Sequence, residues 1–210
     1  MTKIKICGIK TLNEAHAAVD AGADYLGFNF YPKSIRFIEK NSCADITSVL
    51  KQKYPQIKLV GVFVNLTVGE IKDLMETCSL DLAQLHGDEI VEILNALNGK
   101  AFKAFRGIPE SINGFARSES PAFLVDASVK GLYGGSGITA DWNGAAELAK
   151  KYPLLLAGGL TPENVAAAVS QVKPWGVDVA SGVETTPGIK DISKMTAFAK
   201  AVKETIDHGP

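Results

Sequence analysis

The chain begins with a strict alternation of polar and apolar residues, Lys3-Ile4-Lys5-Ile6-Cys7, which predicts a β-strand that ends at a turn begun by Gly8. Apolar runs rich in β-favouring residues recur at regular intervals further along. Together with the first run they predict eight strands, near residues 3–7, 24–29, 58–64, 81–85, 101–105, 122–126, 154–157 and 176–180.

The intervals between these runs carry helical patterns with recognisable starts. Two of them, Thr11–Glu14 and Thr67–Glu70, fit the capping box, in which a hydroxyl residue precedes a carboxylate by three positions. The first helix places its apolar residues on one face, so we expect it to pack against a sheet. That face comprises Leu12, Ala15, Ala18 and Val19.

Eight strands that alternate with about eight helices predict an α/β protein with a parallel sheet, and the count of eight favours closure into a (β/α)8 TIM barrel. A chain of 210 residues is short for this fold, so we expect a compact barrel and one domain over residues 1–210. An open doubly wound sheet is the less favoured alternative, because no GxGxxG motif follows the first strand.

Composition narrows the choice of partners. The balance of 22 basic and 23 acidic residues argues against a large surface that binds nucleic acid or a membrane. No apolar segment has the length of a signal-peptide core or a membrane span. Three cysteines without CxxC spacing and three scattered histidines provide neither a disulfide framework nor a zinc site. We therefore expect a cytoplasmic protein without a metal and, since the helix faces suggest no exposed apolar patch, a monomer.

Reactive residues of a (β/α)8 barrel lie at the C-terminal ends of its strands and in the loops that follow. By that rule the candidates are Cys7, Arg36, His86, Asp126 and Asp178. Cys7 suits a base or a nucleophile, or else it is an inert packed thiol. Asp126 ends an apolar strand, so we expect it to be partly buried, and burial favours the protonated carboxyl group that a general acid needs. The alternative is a structural role, as a helix cap or a member of an ion pair. His86 and Asp178 could likewise have either a functional role in the site or a purely structural one.

Three glycine-rich loops follow in the second half of the chain, Gly134–Gly137, Gly158-Gly159 and Ser181-Gly182. In this fold the loops after strands seven and eight usually bind phosphate, together with the N-terminus of a short helix. Glycine lets backbone N–H groups approach phosphate oxygens closely, and the helix dipole adds attraction. Each loop alone also suits an ordinary turn. The three together predict a phosphate site.

Taken together, these segments closely resemble the phosphoribosylanthranilate isomerase family, and the resemblance covers essentially the whole chain. Any one segment could occur by chance, but their shared order and spacing are hard to explain otherwise. The segments that carry the resemblance are Lys5–Ile9, Ser34–Arg36, Gln84–Gly87, Asp126–Trp142, Ala157–Val165 and Asp178–Glu184.

The resemblance implies an enzyme of tryptophan biosynthesis that performs an Amadori rearrangement of N-(5′-phosphoribosyl)anthranilate without a cofactor. It implies that Asp126 is the general acid and Cys7 the general base. Arg36 would hold the anthranilate carboxylate, while His86 and Asp178 would contact the substrate, with Asp178 near the sugar hydroxyls. The phosphate would rest on backbone N–H groups around Gly137, Gly158, Gly159, Ser181 and Gly182.

Two other functions fit parts of this pattern. One is the related phosphoribosyl isomerase of histidine biosynthesis. The resemblance to that family implies an acid–base pair made of aspartates. A cysteine at position 7 argues against it. The other is a catalytically silent barrel that binds phosphosugars or a partner enzyme. The presence of both Cys7 and Asp126 argues against that function.

Overall fold

A computed structural model describes residues 1–112, 114–127 and 141–205 of the chain. Its eight predicted strands form a closed parallel barrel in sequence order, which confirms the predicted TIM barrel. Pairing between Lys3–Ile6 and Gly176–Val179 closes the ring. The strands are β1 Lys3–Cys7, β2 Tyr25–Asn29, β3 Lys58–Phe63, β4 Leu82–Leu85, β5 Ala101–Arg106, β6 Phe123–Asp126, β7 Leu154–Ala157 and β8 Gly176–Val179.

Seven α-helices cover the outside of the barrel within the described ranges. They are α1 Leu12–Ala21, α2 Lys40–Lys53, α3 Val68–Thr77, α4 Val91–Ala96, α5 Trp142–Ala149, α6 Val165–Val172 and α7 Ile192–Glu204. Both predicted capping boxes are present, at Thr11 and Thr67. No helix in the described ranges has the length and apolar character that a membrane crossing requires.

The sequence pattern predicts about eight helices, but the connection from β5 to β6 contains only turns and bends in its described residues, 107–112 and 114–122. This stretch holds Gly107, Pro109, Gly114 and Pro121 within a short span. Glycine and proline disfavour helix interiors, so the connection crosses the barrel's outer surface without a helix.

Alternate residues of each strand face opposite sides of the barrel wall. Ile4 and Ile6 of β1 belong to the core between strands and helices, which places Lys5 and Cys7 on the inner side. An inner apolar layer fills the barrel below the site. It is made of Val60, Phe102, Ala104, Leu124, Leu155 and Ala157.

After β8 the chain forms a short 3-10 helix, Ser181–Val183, and then a small antiparallel hairpin of β9 Glu184–Thr186 and β10 Ile189–Lys190. These strands are too short to produce a readable alternation, and the sequence pattern does not predict them. The hairpin places Glu184 and Lys190 side by side in the buried interior next to the barrel rim.

Candidate active site at the C-terminal rim of the barrel

A cavity of about 270 Å³ opens at the C-terminal ends of the strands, which we call the rim. It brings together most of the residues predicted from sequence. Those that line it are Cys7, Arg36, His86, Asp126, Asp178, Gly158, Gly159 and Ser181. Gly182 follows the lining residue Ser181 but does not itself line the cavity, and Gly137 falls outside the described residues.

Cys7 is the last residue of β1 and is 7% exposed. The ammonium of Lys5, two residues earlier on the same face, lies beside the sulfur, since both atoms are within 3.1 Å of the point where a Cβ on Gly27 would stand. Burial raises the pKa of the Cys7 thiol, and the charges of Lys5 and Lys190 oppose that rise. Asp178 adds to it, because a nearby carboxylate disfavours the thiolate.

Lys5 is completely buried, and its Nζ donates to Asp178 Oδ1 at 2.7 Å. Burial by itself would lower the pKa of Lys5, but the Asp178 carboxylate and the Cys7 thiol raise it above its usual value. The side chain therefore carries a positive charge at neutral pH. A buried charge persists only when it is paired, and here the pair sits against the candidate base.

Arg36 reaches the rim from the loop after β2 and forms a two-pronged ion pair with Glu184. Its Nε and Nη2 donate to the two carboxylate oxygens at 2.7 and 2.8 Å. Lys190 and the Gly188 N–H donate to the same carboxylate at 2.9 and 3.1 Å. Burial opposes ionisation of Glu184, yet these donors lower its pKa to about 2. Arg36 is thus held in one orientation with donors to spare.

His86 follows β4, and its Nδ1 lies 2.9 Å from Nε2 of Gln84. Burial is the main cause that lowers the pKa of His86, so the ring is neutral at pH 7. Gln84 also lines the cavity, and its Oε1 is a buried acceptor with no protein partner among the described residues. An acceptor of this kind is suited to a ligand hydroxyl.

Asp126 ends β6 and is half-buried at the cavity wall. Strands β7 and β8 separate it from Cys7 on the shorter way round the barrel. The carboxyl group and the thiol therefore approach the cavity from different sides. Two groups placed in this way can deliver and remove protons on one bound molecule.

The loops after β7 and β8 form the glycine-rich side of the cavity. Gly158 and Gly159 have φ angles of +103° and +63°, which side chains of L-residues rarely allow. Open space lies above Gly159, where a Cβ would meet no atom within 4 Å. A Cβ on Gly182 would collide with the carbonyl oxygen of Leu160. Gly182 therefore allows the two loops to pack closely, and the space above Gly159 can admit an anion.

Sequence reasoning missed four polar residues that shape this site, namely Lys5, Gln84, Glu184 and Lys190. A signal was available for two of them. Lys5 and Gln84 each precede a candidate residue by two positions in a strand, so strand alternation alone places them on the same face. No such signal exists for Glu184 and Lys190, since both depend on the short hairpin.

The arrangement suits proton transfer on a small anionic molecule, and comparisons with known proteins agree. The family model described as N-(5′-phosphoribosyl)anthranilate (PRA) isomerase matches residues 4–201. N-(5′-phosphoribosyl)anthranilate isomerase of Geotalea uraniireducens (strain Rf4) is 45% identical over 207 residues, which cover 97% of this chain and 99% of that protein.

Solved structures show the same likeness. Phosphoribosyl anthranilate isomerase from Thermotoga maritima has a TM-score of 0.83 and 38% identity, with 97% of this chain and 100% of that chain covered. A phosphoribosyl anthranilate isomerase in complex with reduced 1-(o-carboxyphenylamino)-1-deoxyribulose 5-phosphate has a TM-score of 0.79 and 34% identity, with the same coverage. The chain therefore belongs to the N-(5′-phosphoribosyl)anthranilate isomerase family.

Proposed function

We propose that this isomerase of tryptophan biosynthesis uses Cys7 as its general base and Asp126 as its general acid. The observation that carries the proposal is that the thiol and the carboxyl group line one cavity from different sides of the rim. The same cavity is bordered by an arginine and by the glycine loops. A substrate with a carboxylate at one end and a phosphate at the other can span it.

Substrate orientation follows from the charges at the rim. Arg36, fixed by Glu184, binds the anthranilate carboxylate through its remaining N–H donors. The phosphate lies against the backbone of Gly158, Gly159, Ser181 and Gly182, where the glycines permit close approach. The sugar then lies between them, next to His86 and Asp178. The relative solved with a reduced carboxyphenylamino-deoxyribulose phosphate supports this pairing of an aromatic carboxylate with a sugar phosphate.

The reaction needs one proton delivered and one removed before the final tautomerisation. Asp126 gives its proton to the ribose ring oxygen as the bond from that oxygen to C1′ breaks and the anilino nitrogen forms an iminium. The Cys7 thiolate removes the proton from C2′, and the C–H electrons form the C1′=C2′ bond of an enolamine. The enolamine gains a proton at C1′ and loses one from the C2′ hydroxyl, which gives the ketone. General acid–base catalysis accounts for each step without a cofactor.

The experiment compares turnover of N-(5′-phosphoribosyl)anthranilate by the unaltered protein, Cys7→Ala and Asp126→Ala. Each of the two variants should fold and lose about 10²–10⁴-fold in kcat, the usual contribution of one acid or base. Cys43→Ala is the matched control, because Cys43 is a buried free thiol in α2 and does not line the cavity. It should keep near-native turnover.

Near-native turnover by Cys7→Ala would show that the thiol is not the base. A protein that binds phosphosugars but does not turn over phosphoribosylanthranilate would instead be a silent barrel. Turnover of the aminoimidazole substrate of the histidine-pathway isomerase, measured alongside, would reveal dual specificity.

We also infer one domain over residues 1–210, a monomer and a cytoplasmic location, each from the sequence pattern. An isomerase of this family from Thermotoga maritima is dimeric, so the monomer needs its own measurement. Light scattering after size-exclusion chromatography gives the mass directly. A mass of about 22 kDa corresponds to one chain of 22.3 kDa, and twice that value would replace the monomer with a dimer.

A further inference from the structure

Lys5 and Cys7 lie side by side on one face of β1, next to a position on β2 that has no side chain. Both lie on the inner side of β1, and β2 passes next to them with Gly27 paired to Cys7. A Cβ on Gly27 would lie 2.6 Å from the sulfur and 3.1 Å from Lys5 Nζ. Only glycine at this position lets the thiol and the ammonium occupy the same side of β2.

The thiol needs a counter-charge if it is to act as a base. Only the thiolate accepts a proton, and burial disfavours the thiolate in the absence of a nearby cation. The charged or titratable groups that act on Cys7 from the neighbouring strands, loops and hairpin are Lys5, Arg36, Asp178 and Lys190. His86 and Asp126 line the cavity further round the rim.

Among the three cations, Lys5 is the one whose ammonium and the Cys7 sulfur both lie against the same glycine of β2, Gly27. Arg36 and Lys190 both donate to Glu184, which offsets one of their two positive charges and takes donors from both side chains. Lys190 also donates to the carbonyl oxygen of Ala180 at 2.9 Å. Lys5 has three N–H donors and gives one to Asp178 at 2.7 Å, which leaves two for the sulfur beside it.

We propose that Lys5 is a positioning residue whose buried ammonium stabilises the thiolate of Cys7, in competition with the carboxylate of Asp178. The inference rests on the proposed role of Cys7 as the base. When the thiol ionises, its proton passes to water at the rim and Lys5 keeps its own three protons. The iminium that forms in the substrate then adds a second positive charge next to the sulfur.

The test measures the ionisation of Cys7 directly, by its rate of alkylation with iodoacetamide as a function of pH. Peptide mass spectrometry separates Cys7 from the other two free thiols, Cys43 and Cys78. In Lys5→Met the midpoint for Cys7 should move to higher pH by about 1–3 units, the usual effect of one nearby opposite charge. The acidic limb of the kcat/KM profile should move by the same amount.

Lys3→Met is the matched control. Lys3 lies on the same strand and forms an ion pair of the same 2.7 Å length with Asp24, near the N-terminal end of β1. This variant should leave the alkylation midpoint of Cys7 unchanged. A purely structural role for Lys5 would lower kcat at every pH without moving either midpoint, and that result would overturn the inference.

Asp178→Asn is a second variant, for which we expect the Cys7 alkylation midpoint to shift in the opposite direction. It tests the inference even if Lys5→Met does not fold. Removal of the carboxylate that competes for the ammonium should move the Cys7 midpoint to lower pH. A midpoint that stays in place or rises would overturn the inference. The proposed function fails separately: if Cys7→Ala retains turnover while Lys5→Met still moves the midpoint, the thiolate is stabilised but is not the base.

Discussion

Replacing Glu184 with glutamine should remove a large and pH-dependent share of the protein's stability. The Glu184 side chain is 4% exposed and faces two cations, Arg36 and Lys190. Its folded-state pKa of about 2, against an ordinary 4.5, corresponds to about 3 kcal/mol in favour of the ionised form. Removing one partner of a buried ion pair costs about 3–5 kcal/mol by a separate line of reasoning. The two magnitudes agree.

The sign of the pH dependence follows from the lowered pKa. A carboxylate whose pKa falls on folding stabilises the native state above its unfolded pKa, and that stability is lost as the pH falls through the folded value. Urea unfolding of the unaltered protein and Glu184→Gln should therefore differ by about 3 kcal/mol at pH 7. The difference should shrink to about 1.5 kcal/mol at pH 3.

Glu147→Gln is the control for this measurement. Glu147 also pairs with a lysine, Lys150, at 2.6 Å, but both side chains are largely exposed. Exposed pairs contribute little, so the control should unfold like the unaltered protein at both pH values. If the Glu184→Gln difference were the same at pH 7 and pH 3, the reasoning from the buried carboxylate would be refuted.

Two further substitutions test the two ends of the proposed substrate site. Arg36→Lys keeps the charge but loses the planar fork, so KM for phosphoribosylanthranilate should rise about 10–100-fold with kcat little changed; a fall in kcat alone would contradict carboxylate binding. Gly182→Ala should push the loops after β7 and β8 apart, because its Cβ meets the Leu160 carbonyl oxygen. We expect a loss of about 1–3 kcal/mol in urea unfolding and weaker inhibition by inorganic phosphate, and native values for both would contradict the packing argument.

The barrel itself is readable from the chain because its signals are local. All eight predicted strands are present, and their ends differ from the prediction by a single residue at most. Each strand is a short apolar run bounded by turn residues, and both capping boxes lie within four consecutive residues. The connection between β5 and β6 shows where this prediction fails. The alternation of strands and helices suggests a helix there, but the glycine and proline residues of the connection disfavour one.

The site was only partly predictable. Cys7, Asp126 and His86 could be picked out because each stands where an apolar strand ends, and a barrel directs such ends to one rim. The roles proposed for them come from the family resemblance. Glu184 and Lys190 carry no local signal, because their positions depend on a hairpin whose two strands contain only five residues.

By itself, the sequence determined the alternation of strands and helices, the closure of eight strands into a barrel and the residues at the strand ends. These depend on periodicity and spacing, which the chain carries within a few residues. Only the tertiary structure decided which charges meet: Lys5 with Asp178, 173 positions away, and Arg36 with Glu184, 148 positions away. Ion pairs form between groups that the fold brings within a few ångströms, and that proximity is a property of the closed barrel as a whole.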